Sequence, residues 1–345
     1  MVKYAILANK SFDYLLSKTG NMLIRYKPEE VAVIIDSSNA GRSSNNVLGW
    51  GKNIPIVSCF QDAKVYSPTH LVLGNAPQGG RIDQSGIFEI KQAIKSGCHI
   101  ISGMHQFLID DDEIRLLAKK NNVNLIDLRM PPLVDHFPQG SWKNRKFPVL
   151  LVAGSDCDTG KMTTAWELYN LLKNEGIRVE FLATGQTGIF LSGKGIPIDA
   201  VKADFMSGEI EHCLDELNYQ TELVVVEGQG ALNNMFYSGV TLGLLHGCMP
   251  DYLILTHELG RELDVSNHPI PKLSVIMQMY IDLLKPFKES KFLGINLLSF
   301  VKNNEVAMSE IKKLENRMKM PVTDLIRFGD RGITRNIINA LSEWR

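Results

Sequence analysis

The sequence predicts an α/β protein made of two parallel-sheet halves, the second carrying a phosphate-binding loop. Three observations lead there. Short apolar runs alternate with helical patterns along most of the 345 residues, as in doubly wound sheets. Most polar, glycine-bearing clusters follow directly on an apolar run, where a parallel sheet presents its ligands. Finally, Gly154-Ser-Asp-Cys-Asp-Thr-Gly-Lys-Met-Thr-Thr164 lies between the apolar run Phe147 to Ala153 and a helical pattern, the strand–loop–helix order of a P-loop.

In the first half, strands are expected at 4–8, 31–36, 55–58, 70–75, 99–102 and 124–128, with a helix over 87–96. Polar loops follow two of these strands, Asp36 to Arg42 and Gly74 to Arg81. No G-x-G-x-x-G occurs, so a dinucleotide site is not supported. The proline- and glycine-bearing stretch Arg129 to Lys143 interrupts the alternation and reads as a linker. It divides the chain into domains 1–137 and 138–345. In the second half, strands are expected at 149–153, 178–183, 223–226, 252–255 and 292–296. Helices are expected at 163–174, 205–217, 273–284 and 309–318.

Composition narrows the class of function. With 37 Lys and Arg against 38 Asp and Glu, the net charge is −1, and nothing suggests a nucleic-acid partner. No run of uncharged apolar residues reaches membrane-spanning length, and the N-terminus lacks the pattern of a secretory signal. The five cysteines are scattered, with no C-x-x-C. The expectation is a reduced, cytoplasmic protein without a structural metal site, assembled as a homo-oligomer.

The phosphate loop supplies the cofactor-binding candidates Gly154, Ser155, Asp156, Cys157, Asp158, Thr159, Gly160, Lys161, Met162, Thr163 and Thr164. Backbone N–H groups of such a loop and the following helix end attract phosphate oxygens. Lys161 would reach the terminal phosphates as a point charge. Five residues, rather than four, separate Gly154 from Gly160, and Met162 stands where a magnesium-binding hydroxyl usually follows the lysine. Thr163 comes one position later. Asp156 and Asp158 would repel a polyphosphate unless they turn outward, pair with Lys161 or meet magnesium. Cys157 has the setting of a lowered thiol pKa but also the look of a small space-filler.

Further candidates lie outside the loop, most of them just after a strand. Glu227, after three valines and before Gly-Gln-Gly, is a candidate magnesium carboxylate or an ion-pair residue. The segment Thr184 to Gly188 reads as a turn whose Thr184, Gln186 and Thr187 offer groups to a substrate, alongside Gln229. Asp204 is a second magnesium candidate or a helix cap. His257 is a candidate base, and His246 a weaker one. Arg261 is a clamp for a carboxylate or a partner of Glu258 or Glu262. The expected catalytic set is thus Lys161, Glu227 and His257, and the expected metal set Thr163, Asp204 and Glu227.

Taken together, the loop with its Met162, Thr184-Gly-Gln-Thr-Gly188, Ile198 to Phe205, Glu227-Gly-Gln-Gly230, Ser238 to Gly247 and His257 to Arg261 resemble a former domain-of-unknown-function family named for D-glutamate N-acetyltransferase. The likeness extends to Asp36 to Arg42 and Gly74 to Gly80, nearly the whole chain. It implies a Rossmann-like N-terminal domain and a P-loop NTPase-like C-terminal domain. The C-terminal half is more distantly similar to dethiobiotin synthetase-type P-loop enzymes, in which Lys161 matches the phosphate lysine and Glu227 the magnesium carboxylate. The two likenesses imply different chemistry on a small anionic amino-acid-like substrate. One is activation of a carboxylate by ATP and Mg. The other is transfer of acetyl from acetyl-CoA to an amino group, since a P-loop holds the diphosphate of coenzyme A as readily as that of ATP. A non-catalytic nucleotide sensor is the third reading.

Overall fold

The computed structural model describes residues 2–8, 10–14, 16–75, 80–133, 135–218 and 220–344. The chain forms two compact units, Met1–Met130 and Pro131–Arg345. Ala76, Pro77, Gln78 and Gly79, part of the expected polar cluster after residue 74, lie outside the described residues.

The first unit holds β1 (Tyr4–Leu7), β2 (Val31–Ile35), β3 (Ile56–Val57), β4 (His70–Leu73), β5 (His99–Ser102) and β6 (Leu125–Asp127). They form one sheet in the order β3-β2-β1-β4-β5-β6, with every pairing parallel. Helices Lys18–Tyr26, Gln84–Lys95 and Asp112–Lys120 accompany the strands. The first and third escaped the sequence reading. Beneath them Val33, Ile35, Leu71, Leu73, Ile90 and Ile94 form a dry core. At the carboxyl end of β2, Asp36 is fully buried. Its carboxylate accepts Phe12 N at 2.8 Å, Ser38 N at 2.8 Å and Asn39 N at 3.1 Å. Dinucleotide folds keep a ribose-binding acid at the end of a strand in this region; here the chain's own amides take that carboxylate.

The second unit holds β7 (Val149–Gly154), β8 (Val179–Leu182), β9 (Leu223–Glu227), β10 (Tyr252–Glu258), β11 (Lys291–Leu298) and β12 (Val322–Thr323). Their order is β12-β11-β10-β7-β9-β8, again all parallel. β7 is buried along its whole length, as a central strand covered on both faces must be. Its residues alternate between two cores. Val149, Leu151 and Ala153 face one with Leu244, Tyr280 and Leu297. Leu150 and Val152 face the other with Leu168, Val225 and Ile254.

Helix Leu273–Leu284 has the expected bounds. Others start earlier than the sequence suggests. One begins at Lys161 rather than 163, and one at Asn304 rather than 309, where Asn303 caps it by accepting Val306 N at 2.9 Å. The helix expected at 205–217 runs Met206–Asp215. The helices Ser238–Cys248 and Ile333–Glu343 and the short β12 escaped the sequence reading.

The segment 136–141 is fastened to helix Met206–Asp215. Glu209 accepts His136 N at 2.7 Å, and Glu211 accepts Ser141 N at 2.6 Å. Gly208 permits this approach, since a Cβ there would stand 2.0 Å from His136 O. These contacts lie within the second unit, whose boundary is at Pro131.

Candidate functional site

β7 delivers its chain into the loop 155–160 directly after Gly154. Asp158 and Gly160 turn the backbone at φ 62° and 85°, and the helix starts at Lys161 with no side-chain cap at Gly160. First-turn N–H groups of a helix lack intrahelical acceptors, so the polar end that attracts an anion sits here. The Lys161 ammonium folds back over the loop and donates to Asp156 O at 2.6 Å. Gly154 makes room for that path, because a Cβ there would lie 2.9 Å from Lys161 Nζ and 2.8 Å from Thr159 Oγ1.

The two loop carboxylates separate. Asp158 is exposed. Asp156 is fully buried and pairs with Arg261 rather than Lys161: Arg261 Nη2 stands 2.7 Å from its Oδ2. Val265 N at 2.9 Å and Asn234 Nδ2 at 2.8 Å donate to the same carboxylate. Arg261 also donates to Cys157 O at 3.0 Å and Leu263 O at 3.2 Å, and meets Glu258 at 3.4 Å. The expected substrate clamp is therefore a strut that fastens the loop to the segment after β10. Its fork is already spent on protein oxygens. Cys157, with its carbonyl in this strut, is half-buried.

The loop hydroxyls are engaged as well. Ser155 Oγ lies 2.8 Å from His257 Nδ1, and Asn233 Nδ2 donates to Ser155 O at 2.9 Å. Thr159 Oγ1 lies 2.8 Å from Thr256 Oγ1. Thr164 accepts Asn296 Nδ2 at 2.8 Å and is buried, so it ties the helix to β11. His257 belongs to β10, which extends past the expected 255 to Glu258. Burial, aided by the Arg261 guanidinium, pushes His257 down to about 4. A neutral imidazole with so low a pKa is a weak proton acceptor near pH 7.

Glu227 ends β9 opposite Val152 of β7, on the strand next to the loop. Its carboxylate is buried and accepts Thr184 N at 3.1 Å, Gly185 N at 3.3 Å and Gln229 Nε2 at 3.3 Å. Desolvation raises its pKa to about 7, against the opposing pull of those amides and of Lys161. The expected turn at 184–188 is instead the start of a helix, Gln186–Ser192, with Gly185 at its N-cap. The reason is local. Glu227 collects the two amides ahead of the helix, and Gly188 lets the helix approach, since a Cβ there would stand 2.2 Å from Glu227 Oε2. Thr184 donates its hydroxyl to Glu227 O at 2.6 Å, and Gln229 donates to Thr184 Oγ1 at 3.2 Å. Thr187 is buried and Gln186 half-buried in the first turn.

At the position that usually follows the lysine with a magnesium-binding hydroxyl, Met162 offers no oxygen, and Thr164 serves Asn296; the Glu227 carboxylate accepts three N–H groups. Thr163 is half-buried in the first turn of the loop helix. Asp204 is exposed on the short turn Ala203–Phe205 and does not cap the following helix, whose N-cap is Phe205. Among the described residues, no group of three or more His, Cys, Asp and Glu is gathered for a metal. His246 lies elsewhere, edge-on to Phe287.

The sequence reading missed Asn233, Asn234, Thr256 and Asn296, which hold the loop from behind. The doubled asparagine soon after Gly230 was the available signal. Among the described residues no helix is long and apolar enough to cross a membrane.

Known proteins agree with this architecture. Residues 136–334 match the family model described as the DUF1611 P-loop domain, and residues 37–131 match its Rossmann-like N-terminal partner. A D-glutamate N-acetyltransferase from Tritonibacter scottomollicae is 35% identical over 285 residues, 81% of this chain and 85% of the relative. One from a Pseudoalteromonas species is 35% identical over 287 residues, covering 81% and 84%. The crystal structure of a DUF1611 family protein from Anabaena variabilis superposes with a TM-score of 0.93 at 30% identity, over 98% of this chain and 100% of that one. With both of its units matched and the fold shared end to end, the chain belongs to the DUF1611 family, as a Rossmann-like domain followed by a P-loop domain.

Proposed function

We propose that this protein transfers an acetyl group from acetyl-CoA to the amino group of D-glutamate or a related acidic amino acid. The observation that carries the proposal is Glu227: a buried carboxyl brought to about 7, within the electrostatic reach of Lys161. A base of that pKa is matched to removing a proton from an ammonium group near neutral pH. The names of the two relatives support the same chemistry.

In this reaction Glu227 takes a proton from the substrate ammonium. The freed amine attacks the thioester carbonyl, the C–S bond breaks, and coenzyme A leaves as its thiol. Lys161 and the helix end behind it hold an anion of one of the two substrates. Arg261, Asn233 and Asn234 keep the loop in shape. Ser155 and His257 form a neutral pair at the loop's base. No step is routed through a metal.

Mass spectrometry of mixtures with acetyl-CoA and a panel of D- and L-amino acids tests the proposal. An N-acetylated acidic amino acid, formed without ATP or added metal, is the expected product. Silence across the panel contradicts it.

A second reading, ATP-dependent activation of a carboxylate, draws on the place of Glu227 at the end of the strand beside the loop strand. Phosphoryl-transfer P-loop enzymes keep an acidic residue in that region. Its mark is ADP or AMP whose formation requires the amino acid.

A further inference from the structure

Two anions compete for the loop under the acetyl-transfer reading, the diphosphate of coenzyme A and a carboxylate of the amino acid. Chain length separates them. The pantetheine arm between diphosphate and sulfur is comparable to about four extended residues, roughly 15 Å. A diphosphate resting on Lys161 would carry the thioester that far along an extended arm. Glu227 is fixed next to the loop. It ends β9 beside β7, and the Lys161 side chain passes the very next residue, where a Cβ on Gly228 would stand 3.3 Å from Lys161 Cδ. An acidic amino acid is compact. Its ammonium lies about 3–6 Å from its own carboxylate oxygens, only a few bond lengths away.

Charge leads to the same choice. Lys161 is the cation that the loop itself supplies. The neighbouring Arg261 has its charge matched by Asp156 at 2.7 Å and Glu258 at 3.4 Å. One lysine with a helix end suits a carboxylate. A diphosphate with an additional 3′-phosphate calls for a larger basic surround. Met162 also stands where a hydroxyl usually helps hold the metal that offsets a polyphosphate at such a loop.

We propose that the phosphate loop of this protein holds a carboxylate of the amino-acid substrate, delivering its ammonium to Glu227, and that the diphosphate of coenzyme A binds elsewhere. This rests on the acetyl-transfer reading and assigns the substrate to its place in that site. Lys161 then acts on the amino acid rather than on the coenzyme.

Calorimetric titration of the full chain with D-glutamate and with free coenzyme A, each repeated in the presence of glutarate, a compact dicarboxylate without an amino group, tests the assignment. Glutarate is expected to displace D-glutamate and to leave coenzyme A affinity unchanged within twofold. In Lys161→Gln, D-glutamate affinity is expected to fall at least tenfold, with coenzyme A again unchanged. The wild-type competition stands on its own should the variant fold poorly. Displacement of coenzyme A by glutarate, indifference of D-glutamate to it, or a loss of coenzyme A affinity in Lys161→Gln overturns the assignment. The acetylation assay separates the two failures. Product formed together with displacement of coenzyme A rejects this placement alone, whereas absence of product rejects the reaction itself.

Discussion

Glu227 concentrates the chemistry in one side chain. Its carboxyl is held at about 7, from an ordinary 4.5, chiefly because it is buried. The base form accumulates as pH rises through about 7, so kcat/KM for the amino acid should rise over the same range and level off above it. Glu227→Gln keeps the shape and removes the base. It should lower kcat about 10²–10⁴-fold and abolish that rise, which a pH–rate series will show. Stability has the opposite slope. The folded protein binds this proton more tightly than the unfolded chain. The resulting stabilisation, about 3 kcal/mol, is present below pH 4.5 and lost as pH climbs through about 7. Urea melts of wild type and Glu227→Gln at pH 5 and pH 8 should differ in this pH dependence; parallel behaviour of the two proteins would refute the assignment of the proton to Glu227.

At the scale of elements, the loop is shaped by segments that approach it from β9 and β10. Breaking a buried ion pair by removing one partner costs roughly 3–5 kcal/mol, somewhat less where one side is partly exposed, as Arg261 is at 17%. Arg261→Ala should therefore lower stability by about 2–4 kcal/mol in chemical denaturation, and Arg261→Lys should recover only part, since lysine cannot span Asp156, Cys157 O and Leu263 O together. A variant as stable as wild type contradicts the strut. Gly188→Ala puts a Cβ 2.2 Å from Glu227 Oε2. It should displace the carboxylate and cut turnover at least tenfold while the circular dichroism spectrum stays native.

The same elements show where the sequence was legible. The strand, loop and helix around Lys161 are contiguous, so their order and the acid at the end of β9 can be read from a short window. The partners of Arg261 and His257 cannot. Asp156 lies 105 positions before Arg261, and Ser155 lies 102 before His257, and only the parallel pairing of β7 with β10 brings them together. The 184–188 segment was misread for a related reason. Polar residues after a strand look alike in sequence, whether they face a ligand, solvent or a carboxylate on the neighbouring strand.

At the scale of the whole molecule, each unit has its own parallel sheet and its own buried core. The proposed chemistry uses residues of the second unit. The fragment Pro131–Arg345 should accordingly unfold as a cooperative unit in calorimetry, at a size normal for a single domain; a broad, non-cooperative melt contradicts its independence. The acetyl-transfer account meets its most direct test in the release of free thiol when the full chain is mixed with acetyl-CoA and D-glutamate, without ATP, alongside Lys161→Ala and Glu227→Gln. The account predicts rapid, D-glutamate-dependent thiol release by wild type and a loss of at least two orders of magnitude in both variants. No thiol release by wild type, or full activity in either variant, would contradict it.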